Sequence, residues 1–410
     1  VDAQTNASGA LASLAAVGSR EVQDSIARAS GIAPLVQLLD PKHKEVHVHA
    51  SRALSELARD YPANQTQVAE AGGIKLLVKL LHGHGAEAAK AAAASALWSL
   101  TASHSENQNH VVSSDGLRPL CSLIGLGNAE TQFEAAGALA AIALDNPLNQ
   151  KKVAMMLVEL LQSTDQETCT KAALAVSRLA RSHPSNQVAI AEVGGITPLT
   201  AMVSVGLKSS RMPAIRGSRE QMATAAVAGL ASDDAPSPGL VRETADRERP
   251  ERPSANAMLA AQNAALTQVA LQKEAASALW SMANENTDNQ QTIATEHGVP
   301  SLIALLSNSR SEVHRDAAGA LWSLAAHPDN QQLIAECRGI GPLVKLLSDG
   351  DRGAQETAAG ALHALAQRYD NRIAIAAAGG VPALTALLEC GSEEAKAQAA
   401  GALSTMVVDN

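Results

Sequence analysis

A repeat of about 42 residues runs through this sequence and constrains its fold more than any other feature. A run of a small residue, Ala and Leu recurs, and its spacings are 43, 43, 42, 37, 103, 42, 41 and 41 residues. The last position of the run, a Leu or once a Val, falls at Leu11, Leu54, Leu97, Leu139, Val176, Leu279, Leu321, Leu362 and Leu403. Periods of this length are typical of stacked helical repeats. We interpret the 103-residue gap as two repeats plus about twenty extra residues, with a degenerate copy near Val227.

A second landmark keeps the same period. An Asn is followed ten residues later by Ile, Leu or Val, and this spacing recurs at Asn64, Asn107, Asn186, Asn289, Asn330 and Asn371. Two independent signals with one period predict a series of similar units and not a single globular core. A unit of this size cannot bury its apolar faces alone, so neighbours are expected to stack into a solenoid.

One well-preserved unit, residues 329–369, predicts three helices. Asp329 and Asn330 are expected to cap the start of a short first helix. Gly339 is expected to end that helix in a left-handed turn, and Pro342 suits the first turn of the second. The third and longest helix is predicted over Ala354–Arg368, where apolar residues recur at helical spacing.

Composition agrees with many thin helices packed closely in series. Only six of the 410 residues are aromatic, whereas Ala and Leu are abundant. The four cysteines lie far apart, which is typical of reduced thiols, and the sequence contains no stretch of 18 apolar residues that predicts a membrane span. Charges of both signs, with a net charge of −9, disfavour a nucleic-acid binder.

The repeat resembles the armadillo repeats of β-catenin, importin-α and related scaffolds. The resemblance is carried by runs such as Gly72-Gly73-Ile74, Pro342-Leu343-Val344 and Gly319-Ala320-Leu321-Trp322-Ser323-Leu324. HEAT repeats, which usually have two helices per unit, lack the Gly-Gly-Ile break. The resemblance implies an all-α, right-handed α-solenoid of about nine armadillo repeats, each of three helices, plus a partial N-terminal repeat, over residues 1–410.

The pattern breaks at several places. Residues up to about Arg20 correspond to a third helix alone, and Lys151–Leu161 lacks Gly and Pro, which predicts that two short helices have fused. Residues 206–219 predict a basic loop insertion, and residues 232–254, rich in Pro, Arg and Glu, predict a flexible excursion. The excursion is interpreted as a tolerated surface insertion or as a docking or regulatory loop. A long helix is predicted over Ala255–Ala283.

No sequence motif predicts an enzyme. Phosphate-binding loops, dinucleotide fingerprints and zinc-protease motifs are missing, so no catalytic residue, cofactor, metal or small-molecule substrate is predicted. The expected partners are other proteins.

The resemblance implies that third helices line a concave groove, with a Trp directly after the core Leu and an Asn four residues later that clamps an extended peptide. Only Trp280 and Asn284 keep both. The candidate groove residues are Trp280, Asn284, Trp322, His363, Gln367, Trp98, Arg59 and Arg181. The alternative is that the Trp rings fill space between helices.

The sequence therefore predicts a scaffold or adaptor that binds partner segments in the groove, located in the cytoplasm, with the nucleus or the cilium as alternatives. An importin-α-like nuclear import carrier and a fixed component of a cytoskeletal or ciliary assembly are the rival interpretations. Val1 is not a usual start, and Asp409-Asn410 repeats the pair Asp329-Asn330. We therefore expect a piece of a longer protein.

Overall fold

The computed structural model describes residues 2–17, 20–83, 85–181, 183–205, 255–307 and 311–407. The two predicted insertions and the degenerate copy near Val227 lie outside these ranges. Contacts divide the chain into two compact units, one of residues 1–207 with 267–410 and one of residues 208–266. Of the second unit, the structure describes the first part of the helix Ala255–Ala283. The description below concerns the first unit.

The described residues form α-helices and two short 3₁₀ turns. The chain opens with α1 (Asp2–Val17), which stands alone as predicted. The first three complete repeats contain α2 (Arg20–Arg28), α3 (Ile32–Gln37) and α4 (His47–Ala58); α5 (Pro62–Glu70), α6 (Gly73–His82) and α7 (Glu87–Thr101); and α8 (Ser105–Ser113), α9 (Leu117–Leu126) and α10 (Ala129–Ala143).

The fourth repeat has two helices because its first two are fused, as predicted. It contains α11 (Pro147–Leu161) and α12 (Gln166–Ala180). The remaining repeats contain α13 (Pro184–Glu192), α14 (Ile196–Ser204) and α15 (Ala255–Ala283); α16 (Thr287–Thr295), α17 (Gly298–Leu306) and α18 (His314–Leu324); α19 (Pro328–Glu336), α20 (Ile340–Asp349) and α21 (Arg352–Leu365); and α22 (Tyr369–Ala377), α23 (Gly380–Cys390) and α24 (Glu393–Val407). The prediction of a long helix over Ala255–Ala283 is confirmed.

Successive third helices pack on one another. Helix α4 contacts α1 and α7, α7 contacts α10, and α21 contacts α18 and α24. The recurring core Leu of the third helix is fully buried in inner repeats, as at Leu97 and Leu321, and half-buried at Leu11 and Leu403. Neighbouring repeats thus supply the apolar surface that one repeat lacks. The first unit is an all-α solenoid.

The interpretation of the 103-residue gap as two repeats is wrong, because α12 and α15 are neighbouring third helices, joined by Ser177 and Ser277. The Gln65 amide donates to the carbonyls of Ser99 and Ala102 at the end of the third helix of its own repeat. The Gln187 amide donates in the same way to the carbonyls of Ser281 on α15 and of Asn284 directly after it. Helices α13 and α15 therefore belong to one repeat. This repeat directly follows the one that ends with α12, so no further repeat is stacked between them. The described residues contain eight complete repeats and the partial first one.

The landmark Asn performs a different task from the one predicted. Helix α19 begins at Pro328, and the His327 ring, not Asn330, accepts from the backbone of Asp329. The buried Asn330 amide instead donates to the carbonyl of Leu324 at 3.1 Å and to that of Gln290 in the preceding repeat at 3.2 Å. The Asn330 amide therefore joins α19 to the end of α18 and to α16 of the preceding repeat.

The glycine that follows the first helix is required for space in this repeat and not for a left-handed turn. Arg338 adopts the positive φ of 61° and Gly339 does not. A Cβ at Gly339 would lie 2.8 Å from Ile334 and 2.9 Å from Ile303. Where two glycines occur, the first takes the left-handed conformation, as at Gly72 and Gly379.

Among the described residues, no single helix is long and apolar enough to cross a membrane, although α22 and α23 together pass by length and composition as a pair bent by 79°.

Candidate functional site

Each tryptophan lies against a glycine on the next third helix. A Cβ at Gly319 would be 2.6 Å from the Trp280 ring, and a Cβ at Gly360 would be 2.6 Å from the Trp322 ring. Trp98 covers Gly137 in the same way, and the His363 ring would be 2.5 Å from a Cβ at Gly401. The next repeat thus leaves space for each ring by having a glycine at the position that the ring covers.

This contact leaves the rings half-buried. Trp98, Trp280, Trp322 and His363 all have intermediate exposure, so each ring contributes packing and keeps an accessible portion. One part of each ring packs on a neighbouring helix, so the rings combine features of the groove interpretation and of the alternative that they fill space between helices. The predicted polar contacts, Asn284, Gln367, Arg59 and Arg181, are exposed.

Where a repeat has Ser in place of the tryptophan, the next repeat has Ser in place of the glycine. The Ser55 hydroxyl lies 3.4 Å from that of Ser95 and 3.0 Å from that of Ser99. Ser177 lies 3.1 Å from the hydroxyls of both Ser277 and Ser281. Small polar side chains therefore join two pairs of third helices, α4 with α7 and α12 with α15.

We call the surface formed by the successive third helices, from α1 to α24, the third-helix face. Its first cleft lies around Trp98 and has a volume of about 390 Å³. It is lined by residues of α7 and α10 and by residues just after α4, including Arg59, Asp60, Trp98, Phe133 and Glu134. The Trp98 and Phe133 rings meet edge to face with centroids 5.7 Å apart. The Arg178 guanidinium lies 5.2 Å from the centre of the Phe133 ring.

The second cleft lies around Trp280 and has a volume of about 400 Å³. Its lining consists of Arg181, Trp280, Ser281, Asn284, Arg315 and Asp316. These residues lie on α15 and α18 or directly after α12 and α15. This cleft combines an aromatic face, an exposed amide and charged groups of both signs.

Each cleft holds a half-buried carboxyl group whose pKa is raised. Burial raises the pKa of Glu134, against the lowering effect of a hydrogen bond to Ser95 and of Arg59. Burial likewise raises the pKa of Asp316, against the lowering effect of Lys273, Arg315 and Arg181. Both carboxylates would gain from an additional cation in the cleft.

The structure groups the predicted site residues into two sets. It brings Arg59 together with Trp98, and Arg181 together with Trp280 and Asn284. Trp322, His363 and Gln367 follow on α18, on α21 and just after α21, and line neither of these clefts.

Sequence reasoning missed four residues that line these clefts: Phe133, Glu134, Arg315 and Asp316. These residues form two pairs at equivalent repeat positions. Phe133 and Arg315 each precede the core Leu of their helix by six residues, and Glu134 and Asp316 each precede it by five. An alignment of the repeats at these places was the available signal. Among the described residues, no group of three or more His, Cys, Asp or Glu side chains is placed to hold a metal ion.

Comparison with known proteins agrees with this architecture. The family profile described as "Armadillo/beta-catenin-like repeat" matches residues 62–102, 286–326, 327–366 and 368–408. Vacuolar protein 8 of Candida albicans is 29% identical over 188 residues, which are 45% of this chain and 32% of that protein. Armadillo repeat-containing protein 3 of Homo sapiens is 26% identical over 179 residues, which are 42% of this chain and 20% of that protein. The chain thus spans about a third and a fifth of these relatives.

Solved structures of similar proteins include engineered repeats. One engineered protein is 28% identical with a TM-score of 0.41, and the match covers 99% of this chain and 95% of that one. A designed armadillo repeat protein is 20% identical with a TM-score of 0.48, over 71% of this chain and 99% of its own. The four matched segments and the recurring three-helix unit support an armadillo repeat protein.

Proposed function

We propose that this protein is a non-catalytic scaffold that binds an extended segment of a partner protein along the third-helix face. The observation that carries the proposal is the cleft around Trp280, where a half-buried ring, the exposed Asn284 amide and the exposed Arg181 guanidinium converge. An armadillo solenoid is in general a protein-binding scaffold and is typically not an enzyme. The cytoplasm is the location that we propose for it.

The side chains of this cleft suit a polypeptide ligand. A tryptophan presents a large, rigid contact surface and is enriched at binding hot spots. The Asn284 amide can both donate to and accept from a peptide backbone, so it can hold an extended chain without reading its sequence. The neighbouring Arg181 adds a charge that can fix the register of the bound segment.

An importin-α-like carrier is the less favoured alternative. That function would use several adjacent Trp-Asn pairs, but only Trp280 and Asn284 form one here. Arg181 occupies the corresponding Asn position in the cleft around Trp280 and would repel a uniformly basic peptide there. We therefore expect an isolated nuclear-localisation peptide to bind with a dissociation constant near or above the millimolar range.

Peptide selection tests the proposal directly. A random peptide library is selected on the immobilised chain, and enriched peptides are measured by calorimetry against the wild type and single variants. Trp280→Ala and Trp322→Ala should each weaken binding about thirtyfold, since truncation of an interface tryptophan costs at least ~2 kcal/mol. Asn284→Ala should cost less, about 1 kcal/mol.

Tyr369→Ala is the matched control, because Tyr369 is an exposed aromatic residue on a first helix, away from both clefts. Each variant is first checked for wild-type helical content by circular dichroism. The proposal fails if enriched peptides bind the folded Trp280→Ala and Trp322→Ala variants as tightly as they bind the wild type.

A further inference from the structure

The two clefts correspond to each other position by position. Relative to the core Leu of each third helix, Arg59 and Arg181 occupy one position, and Trp98 and Trp280 occupy another. The helices that carry them are also equivalent: α4, α7 and α10 build the first cleft, and α12, α15 and α18 build the second. The second cleft is therefore a copy of the first, displaced by three repeats.

The correspondence extends to the contacts between the helices. In the first cleft, Ser55 meets Ser95 and Ser99. In the second, Ser177 meets Ser277 and Ser281, which occupy the same repeat positions. In both clefts, the tryptophan covers a glycine and a half-buried carboxyl group stands three residues before that glycine, as Glu134 before Gly137 and Asp316 before Gly319. No other tryptophan of the chain has all of these neighbours, since Thr357 takes the place of the carboxyl group beyond Trp322.

The two copies differ in charge. In the first cleft, Arg59 stands against Asp60 and Glu134, which leaves one negative charge in excess. In the second cleft, Arg181 and Arg315 stand against Asp316, which leaves one positive charge in excess. The exchange of Phe133 for Arg315 at equivalent positions contributes one of the two charges of this reversal, and Asp60, which has no counterpart among the described residues that line the second cleft, contributes the other.

The wider surroundings of the first cleft keep its negative excess, and Arg178 adjoins both clefts because its guanidinium also lies 5.2 Å from the centre of the Phe133 ring. A wider cleft of about 650 Å³ adjoins the first one and is lined by Arg52 and Arg59 against Glu56, Glu130 and Glu134. Beside the second cleft, Lys273 and Arg178 are close enough to Glu274 to oppose the rise in its pKa caused by burial. Neither Arg181 nor Arg315 lies within 4.0 Å of a carboxylate oxygen among the described residues.

We propose that the third-helix face is a two-point binding surface, on which one extended polypeptide places a basic stretch beside Trp98 and an acidic stretch beside Trp280. This inference rests on the proposed function and adds to it the charge pattern of the partner. Opposite charges at the two points fix the direction and the register of the bound chain, which a ladder of Asn amides alone does not do.

The distance between the points sets the length of the partner segment. Three third-helix spacings of roughly 10 Å each separate α7 from α15. An extended chain advances about 3.3 Å per residue, so about nine residues join the centres of the two stretches. A segment of about 20 residues therefore occupies both clefts.

Synthetic peptides of defined charge test this arrangement. Fluorescein-labelled peptides of 20 residues carry a Lys-rich half and a Glu-rich half in both orders, and a control peptide has the same composition with alternating charges. Two further peptides carry only the Lys-rich or the Glu-rich half, with neutral residues in the other. Binding to the full chain is followed by fluorescence anisotropy at 50 mM NaCl, where screening is modest.

We expect one order of the two-part peptide to bind at least about tenfold more tightly than the alternating peptide and than either half, because the second contact becomes intramolecular. Glu134→Gln should weaken the Lys-rich half by about threefold to tenfold and leave the Glu-rich half unchanged. Arg315→Gln should do the reverse. Glu70→Gln and Lys75→Gln, on exposed positions of α5 and α6, are the matched charge controls.

Equal binding of the two-part and alternating peptides would overturn the inference, as would equal effects of Glu134→Gln and Arg315→Gln on both halves. If library peptides still lose binding in Trp280→Ala while these results hold, the proposed function survives and only the charge pattern is wrong. If no peptide of either kind depends on Trp280, the proposed function fails as well.

Discussion

Trp280 covers Gly319 of the next repeat, and a Cβ on that glycine would lie 2.6 Å from the ring. Alanine is normally better than glycine inside a helix by up to about 1 kcal/mol. Here the added methyl group forces the indole to move, so Gly319→Ala should lower the free energy of unfolding by about 1–3 kcal/mol. Urea denaturation followed by circular dichroism and by tryptophan fluorescence measures both the loss and the displaced ring.

Gly341 provides the control, because it lies in α20 and a Cβ there meets nothing within 4 Å. Gly341→Ala should be neutral or stabilising. In a Trp280→Ser background, Gly319→Ala should also cease to destabilise, since the ring that it strikes is gone. An equal loss with and without the ring would show that the contact is not the cause.

The buried Asn of the first helix should be a major source of stability. Asn330→Ala leaves the carbonyls of Leu324 and Gln290 without the amide that each now accepts from. We expect a loss of about 1–3 kcal/mol of unfolding free energy, the range for a buried polar group that loses its partner. Gln332→Ala, two residues along on the exposed side of α19, should change the urea midpoint little; comparable losses for the two variants would contradict the role of the Asn330 amide in joining these helices.

The carboxyl group of Glu134 should make stability depend on pH. Its pKa is raised in the folded protein above the ordinary value of 4.5, chiefly by burial. Between these two pKa values the folded state binds more protons than the unfolded state, so this group's contribution to stability falls as pH rises. Glu134→Gln should therefore be at least as stable as the wild type at pH 7, and this advantage should shrink as pH falls through the raised folded-state pKa and be absent below 4.5.

Glu70→Gln, an exposed change on α5, serves as the reference for that titration. Urea midpoints of the three proteins at pH 4 to 8 give the comparison. If the stability advantage of Glu134→Gln over the wild type grew toward low pH, the predicted pH dependence would be contradicted.

Two cysteines should differ sharply in reactivity. Burial, together with the nearby Glu159 carboxylate, raises the pKa of the Cys121 thiol to about 12, whereas Cys390 is exposed. Because the thiolate is the reactive form, iodoacetamide at pH 8 should alkylate Cys390 in the native protein and Cys121 only after unfolding. Mass spectrometry of the digested protein distinguishes the two sites, and early alkylation of Cys121 would be inconsistent with its buried position.

Much of the site could be foreseen and part of it could not. Trp280 and Asn284 are predicted together from their four-residue spacing in one repeat. Both line the cleft around Trp280. The partners Arg315 and Asp316 come from the following repeat, and their inclusion depends on how the two helices pack. The role of Asn330 was mistaken for the same reason, since its acceptors lie before it in the chain and in another repeat.

The sequence by itself determined the period, the three-helix repeat, the fused helix α11 and the long helix α15, because hydrophobic spacing and Gly or Pro breaks act over a few neighbouring residues. Only the tertiary structure decided how the repeats are joined. The core positions Val176 on α12 and Leu279 on α15 are 103 residues apart in the chain. The hydrogen bonds from Gln187 to the end of α15 nevertheless show that these two third helices are neighbours. Chain length does not fix which helices become neighbours, whereas the burial of apolar faces and the pairing of buried polar groups do.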